Sequence, residues 1–278
     1  MISYIGGKSK ISKFIIPFIP NDIETYVEVF GGMFWVFYNM KLEDYPNLKR
    51  IVYNDFNKLN VNVFNCIKDY EKFSSIITEY PSQKEELFYK FQKELFSGDF
   101  EMDLTKPDYH IASKYIYLLT QVWSGTNPEK GKFINLKGKY KSKFDTFKGK
   151  LDNPKWQKYF DKIDIVENLD FETNIKKYDS KKTYFYCDPP YLHVTRGDTK
   201  AYGFEMDITQ HRAFAQAVNQ CKGKVAVSGY DHPIMAELFP APKWNKILGP
   251  VKTIHSTKST RREVLWTNYK QKEKETFF

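Results

Sequence analysis

Apolar residues in this chain cluster in short runs of about four, each stopped by glycine, proline or an acid, with helix-spaced stretches between them. After a glycine turn at Gly6-Gly7, Ile11, Phe14 and Ile15 mark a short helix that Pro17 and Pro20 end. Tyr26–Phe30 reads as the first strand, broken by Gly31-Gly32, and Phe34, Phe37 and Tyr38 mark the helix after it. Ile51–Tyr53 is a second strand, stopped at Asn54-Asp55 and followed by helical spacing through Leu59, Val63, Phe64 and Ile67. Strand, turn and helix repeated in this way predict a parallel, doubly wound α/β sheet.

Between about residues 70 and 160 the pattern changes. Its spacing predicts one long helix over Ile76–Phe96, a loop over Asp99–Asp108 and a helix over Ala112–Val122. A lysine-dense stretch follows, NPEKGKFINLKGKYKSKFDTFKGK, interleaved with Phe133, Tyr140, Phe144 and Phe147. The βα pattern then returns: strands at Ile163–Val166 and Tyr184–Cys187, a helix over Ile208–Val218 and a strand at Lys224–Val227. A short helix starts at Pro233, and strands at Trp244–Leu248 and Val264–Thr267 close the sheet. The expected organisation is a sheet domain from residues 1–60 and 160–278, with residues 61–159 inserted into it.

Composition narrows the class. A chain of 278 residues with 41% hydrophobic and 17% aromatic residues is globular, not disordered. Its net charge of +9, from 43 Lys and Arg against 34 Asp and Glu, favours a polyanionic partner. Cys66, Cys187 and Cys221 are an odd set without ligand spacing, and the five histidines are scattered, so a reduced compartment and no metal are expected. The first twenty residues lack an export-type apolar segment, and no run approaches the ~20 apolar residues of a membrane span. A cytoplasmic location is the expectation, bacterial or, for a phage-encoded chain, that of the host.

Three constellations carry chemistry. Glu28-Val29-Phe30-Gly31-Gly32 ends the first strand, where glycines allow close backbone approach to a ligand, and Asp55 ends the neighbouring strand, where an acid can hold ribose hydroxyls. The glycine spacing does not make a full dinucleotide fingerprint, so a nucleoside without pyrophosphate fits better. Asp188-Pro189-Pro190-Tyr191 follows an apolar strand, and its prolines must lie past the strand end. Asp188 and the Pro189 carbonyl offer two acceptors for the hydrogens of a nucleobase amine, and Tyr191 offers a face for an extruded base. The lysine-rich stretch, with Lys130, Lys132, Lys137, Lys139, Lys141, Lys143, Lys148 and Lys150, surrounds a hairpin-like Phe133-Ile134-Asn135-Leu136 strand suited to phosphate contact. A solvated basic face explains the lysines equally well. Arg196 and Lys200, after Tyr191, are weaker candidates for the same work, and a surface loop at Arg261-Arg262 is weaker still. Cys187 reads as a small core residue, and Ser228-Gly229-Tyr230, after a strand, lines either the site or the core.

Together these residues resemble the DNA adenine-N6 methyltransferases of the Dam type (the α-group, D12 class) over most of the chain. Tyr4-Ile5-Gly6-Gly7-Lys8 is similar to that family's N-terminal element beside S-adenosylmethionine, and Tyr26–Gly32 to its cofactor loop, which would put Glu28 near the methionine amino group. Asn54-Asp55-Phe56-Asn57 resembles the ribose-binding acid, and Leu169-Asp170-Phe171-Glu172 the adenine-contacting element. Asp188–Tyr191 resembles the catalytic motif, and Arg262–Tyr269 the closing strand. The resemblance implies a Rossmann-like methyltransferase sheet with a helical and β-hairpin target-recognition insertion. It also implies S-adenosylmethionine as cofactor and base flipping of a DNA adenine, with duplex DNA as the partner. The cofactor set would be Tyr4, Gly7, Lys8, Glu28, Phe30, Gly31, Gly32, Asp55, Asp170, Phe171 and Asp188. The family often has a glycine where Phe34 stands, so a tighter or differently shaped cofactor loop is expected here; it usually has an Arg-Tyr-Asn-like run where Thr126-Asn127-Pro128 stands, so a GATC target does not follow. Methylation of cytosine N4, or a silent DNA-binding module, are the rival readings. Oligomeric state and biological role (restriction-modification, mismatch marking or phage protection) stay open.

Overall fold

The central apolar runs become strands because each can bury both faces. In the computed structural model, which describes residues 8–98, 100–122, 127–135, 142–192, 205–253 and 260–270, seven strands form one sheet. They are β1 (Thr25–Glu28), β2 (Arg50–Asn54), β3 (Ile165–Glu167), β4 (Thr183–Cys187), β5 (Lys224–Tyr230), β6 (Asn245–Thr253) and β7 (Thr260–Thr267). Their order is β3-β2-β1-β4-β5-β7-β6. β1 to β5 pair in parallel, while β7 runs antiparallel to both of its neighbours. The parallel strands β1 and β4 are neighbours at which the order of strand addition reverses, the switch point where open α/β sheets bind ligands.

Alternation along the strands divides the core in two. Tyr26, Tyr53, Tyr184 and Tyr186 point to one face, and Val27, Val52, Phe185 and Cys187 to the other. The valine face packs α9 (Phe171–Tyr178), α10 (Ile208–Gln220) and α11 (Pro233–Leu238). The tyrosine face takes α1 (Ser12–Ile15), α2 (Trp35–Asn39), α3 (Lys58–Ile67), α4 (Tyr70–Ile77), α5 (Glu85–Phe96), α6 (Tyr109–Gln121), α7 (Lys143–Leu151) and α8 (Pro154–Phe160). Helices of the inserted block thus share one continuous apolar cluster with the sheet: Phe73, Phe88, Tyr117 and Phe147 belong to the same core as Tyr26 and Tyr184. Tyr38 and Trp156 stack at 4.2 Å across the junction, and the 60/61 boundary falls inside α3.

Several expectations need correction. The long helix over Ile76–Phe96 is two helices, α4 and α5, separated by Thr78–Lys84. Pro81 cannot sit in a helix interior, and Gln83 takes a left-handed φ of 59° in the break. Of the hairpin-like Phe133-Ile134-Asn135-Leu136 run, Phe133 forms an antiparallel bridge with Val122 among the described residues, and Leu136 lies outside them. Ser228-Gly229-Tyr230 does not follow β5 but completes it, and Arg261-Arg262 lie in β7, not in a loop. Helix α8, capped by Asn153 with Pro154 in its first turn, is an element that the apolar spacing does not mark.

Candidate active site

The first half of the site lies at the ends of β1, β2 and β3. Asn54 is fully buried and ties these ends together. Its amide donates to the Val29 carbonyl at 2.9 Å and the Leu169 carbonyl at 3.1 Å, and accepts from the Leu169 N–H at 2.9 Å. Asn168 adds donations to the Asp55 and Phe56 carbonyls. Asp55 accepts the Gly32 N–H and the Asn57 N–H, each at 2.7 Å. Burial raises its carboxyl above the usual range, and those two backbone donors oppose the rise. Gly32 makes its contact in a left-handed conformation, φ 49°. Gly31 is packed so closely on Tyr53 that a Cβ would lie 2.4 Å from the ring.

Glu28 ends β1 and is 2% exposed. One carboxyl oxygen accepts from the Tyr26 hydroxyl at 2.7 Å and from the Phe37 N–H at 2.9 Å. Desolvation outweighs those bonds and pushes its pKa up to about 8. Asp170 caps α9 and is exposed. Desolvation works to raise its carboxyl, but the hydroxyl and N–H of Thr173 more than offset this and hold it below the usual range. Phe30 and Phe171 sit 6.2 Å apart and both pack against Phe214 of α10, forming a half-buried aromatic shelf on the same edge. Phe34, in the glycine position of the resemblance, adopts φ 54° just before α2. Its ring stacks on Phe37 at 4.6 Å and meets Tyr53 edge-on at 5.2 Å. The left-handed backbone costs about 1–2 kcal/mol, less than burying such a ring returns.

The second half follows β4. Asp188 pairs with the Lys8 ammonium at 2.7 Å, their side chains 16% and 6% exposed. Burial works to lower the Lys8 pKa, but the carboxylates of Asp188 and Glu263 more than offset it and hold it above the usual value. The same ammonium lies 4.8 Å from the centre of the Tyr191 ring. Tyr191 donates its hydroxyl to Glu263 at 2.9 Å and meets Tyr230 edge-to-face at 4.6 Å, and Arg261 covers Tyr230. Tyr186 and Ser228 hydrogen-bond beneath this layer at 2.8 Å. Pro189 is buried and Pro190 half-buried at the strand end.

The fold therefore brings Lys8, Glu28, Phe30, Gly31, Gly32, Asp55, Asp170, Phe171, Asp188 and Tyr191 to one edge of the sheet. Tyr4, Gly7, Lys137, Lys139, Lys141, Arg196 and Lys200 lie outside the described residues. Lys130, Lys132 and Asn135 are exposed in the segment leading back from α6. Lys148 and Lys150 face inward instead: Lys148 donates to the Tyr80 carbonyl and pairs with Asp145, and Lys150 covers Trp156. Residue spacing does not reveal the contacts of Tyr26, Glu263 or Asn54. Only the i, i+2 placement of Tyr26 and Glu28 on one strand carries a signal. A groove of about 800 Å³ lies at the opposite end of the sheet, where β1 and β5 begin, and none of these residues lines it.

Sheet order, reversed β7 and an acid–proline–aromatic edge define an α/β protein with two groups of acids and aromatics along one edge of its sheet. The chain belongs to the D12 class N6 adenine-specific DNA methyltransferase family, whose model matches residues 4–255. It is 26% identical over 207 residues to the modification methylase StsI of Streptococcus sanguinis, covering 70% of this chain and 29% of that one. A 67-residue stretch is 34% identical to the type II methyltransferase M.FokI of Planomicrobium okeanokoites, covering 24% of this chain and 9% of that protein. The chain thus spans under a third of those two relatives. A DNA adenine methylase of Haemophilus influenzae is 22% identical over 270 residues, covering 88% of this chain and 84% of that one. The rRNA methyltransferase aviRa of Streptomyces viridochromogenes overlays at a TM-score of 0.40 and 11% identity, over 96% of this chain and 87% of that structure, too loosely to carry an argument. No helix among the described residues is long and apolar enough to cross a membrane.

Proposed function

We propose that this chain methylates the N6 amine of adenine in DNA, with S-adenosylmethionine as donor. The observation that carries this reading is Asp188 and the Tyr191 ring sharing one cationic donor beside Glu28 and Asp55, at the sheet's switch point. The residues present suit the cofactor chemically. Asp55 keeps lone pairs for ribose hydroxyls beyond its two backbone bonds, Glu28 offers a carboxyl to an ammonium, and Phe30 and Phe171 offer an apolar shelf. When bound, S-adenosylmethionine supplies a methyl group activated by its sulfonium.

An adenine amine is a poor nucleophile because its lone pair is delocalised into the ring. Asp188 and the Pro189 carbonyl would each accept one amine hydrogen and so free that lone pair for the methyl carbon. On transfer, the N–C bond gained would replace the donor's S–C bond, whose electron pair would stay with sulfur, and the Asp188 carboxylate would stand beside the positive charge left on the nitrogen. The nitrogen would then lose its extra proton to water. Tyr191 would hold the extruded ring by stacking, and fixed geometry and electrostatics supply the catalysis. In this reading residues 61–159 form the target-recognition layer, with Lys130, Lys132 and Asn135 on its DNA side and Lys137, Lys139, Lys141, Arg196 and Lys200 adding phosphate contacts. A cytoplasmic enzyme acting on duplex DNA is the setting proposed.

Transfer of labelled methyl from S-adenosylmethionine to DNA, followed by nucleoside analysis, tests the reading. N6-methyladenine is expected. N4-methylcytosine would move the chemistry to the other base, and binding of DNA and cofactor without transfer would replace the enzyme with a silent module.

A further inference from the structure

The base-binding half of the site is occupied by the protein itself. One Lys8 ammonium makes both contacts proposed for the target adenine, a hydrogen-bonding distance to Asp188 (2.7 Å) and a position over the Tyr191 ring (4.8 Å). A buried cation beside the nitrogen that gains positive charge would oppose methyl transfer, so Lys8 must leave Asp188 before chemistry. Leaving a buried ammonium without a counter-charge costs several kcal/mol, which requires a second anionic station nearby. Glu263 is 2% exposed, accepts the Tyr191 hydroxyl at 2.9 Å, and already stabilises the charge on Lys8. It stands on β7 opposite Tyr230 in the strand register, which fixes it beside the base pocket.

We propose that Lys8 is a stand-in for the target amine in the free protein, and that Glu263 is a positioning residue that receives the Lys8 ammonium when the base enters. The inference rests on the base-pocket reading above. Base entry is then an exchange of donors on Asp188. Glu263 lowers the cost of that exchange while keeping Tyr191 oriented, and the pocket is never left with an unpaired carboxylate.

The test uses the full chain without cofactor, on a duplex carrying 2-aminopurine at the adenine found methylated in cells expressing the protein. Fluorescence of the extruded base is read at saturating protein. Lys8→Met removes the competitor and is expected to raise the extruded fraction by about fivefold, the low end of a coupling between two ligands. Glu263→Gln keeps an acceptor for Tyr191 but removes the receiving charge, and is expected to lower it by about the same factor. Opposite signs are the signature, since a merely structural role for either residue lowers both. Equal losses, or no change in either variant, overturn the proposal. Should Glu263→Gln fail to fold, Lys8→Met alone decides, and an unchanged or reduced signal overturns it. If expressing cells contain no methylated adenine, the functional reading fails instead.

Discussion

The two halves of the site hold their carboxyl groups in opposite ways. On the β1–β2 side, Glu28 and Asp55 are met by backbone N–H groups and a tyrosine hydroxyl, neutral donors that belong to the fold itself. On the β4–β7 side, Asp188 faces a full positive charge on a lysine side chain. Neutral dipoles fixed in the backbone stay where they are when a ligand arrives. A flexible ammonium can be exchanged. On the function proposed above, the cofactor half is prebuilt whereas the base half has to rearrange, which would suit a donor that is always the same molecule and a substrate that must first be pulled out of a helix.

The contrast breaks most sharply at Asp188. Asp188→Ala is expected to lower methyl transfer by about 10²–10³-fold, the range seen when a key electrostatic group is lost, while DNA retention stays within about twofold. Parallel loss of binding and turnover, measured by filter retention and single-turnover transfer, would remove Asp188 from the chemistry. On the prebuilt side, Asn54→Leu leaves partners at Val29 and Leu169 unsatisfied inside the protein. It is expected to cost about 3 kcal/mol in denaturant unfolding and to weaken cofactor binding with it. A loss under about 1 kcal/mol would mean these edges hold without the asparagine.

Glu28 sharpens the comparison through pH. Its pKa of about 8, against an ordinary 4.5, means that the folded chain keeps a proton the unfolded chain releases. Stability therefore falls as pH rises through the window from 4.5 to 8, by up to about 1.4 kcal/mol per unit from this group. A cofactor ammonium favours the ionised form, so cofactor affinity is expected to rise with pH up to about 8 and flatten above it. Binding should release protons, and Glu28→Gln should abolish the slope. Calorimetry in buffers of different ionisation enthalpy checks this, and a pH-independent affinity would detach Glu28 from the cofactor. The smallest effect belongs to the exposed lysines. Lys130→Ala with Lys132→Ala is expected to flatten the dependence of log affinity on log salt by about 1 for each DNA phosphate no longer neutralised, evenly across sequences. An unchanged slope would place the DNA elsewhere.

Much of the prebuilt half is legible in residue order alone. Proline cannot occupy a central ladder position, so Asp188 has to stand at a strand end, and parallel strands bring Glu28 and Asp55 to the same edge. The exchangeable half cannot be read this way. Glu263 and Tyr191 are 72 residues apart and meet only because β7 enters the sheet antiparallel, next to β5. Lysine content misleads as well. Lys148 and Lys150 share the composition of a phosphate-binding face, but helix α7 turns its apolar face inward and carries their stems over Phe144 and Trp156. The break between α4 and α5 is legible at Pro81, whose missing N–H outweighs the helical spacing that runs on either side of it.

The single apolar cluster joining the helical block to the sheet has a practical consequence. Phe73, Phe88, Tyr117 and Phe147 are packed into the same interior as the tyrosines of the strands. Residues 61–159 are not a cartridge: grafting the homologous block from a relative with another target would replace half of a jigsaw and leave voids in the remainder. If that layer reads the target as proposed, retargeting calls for changing the exposed segments carried on it, with the layer itself left in place.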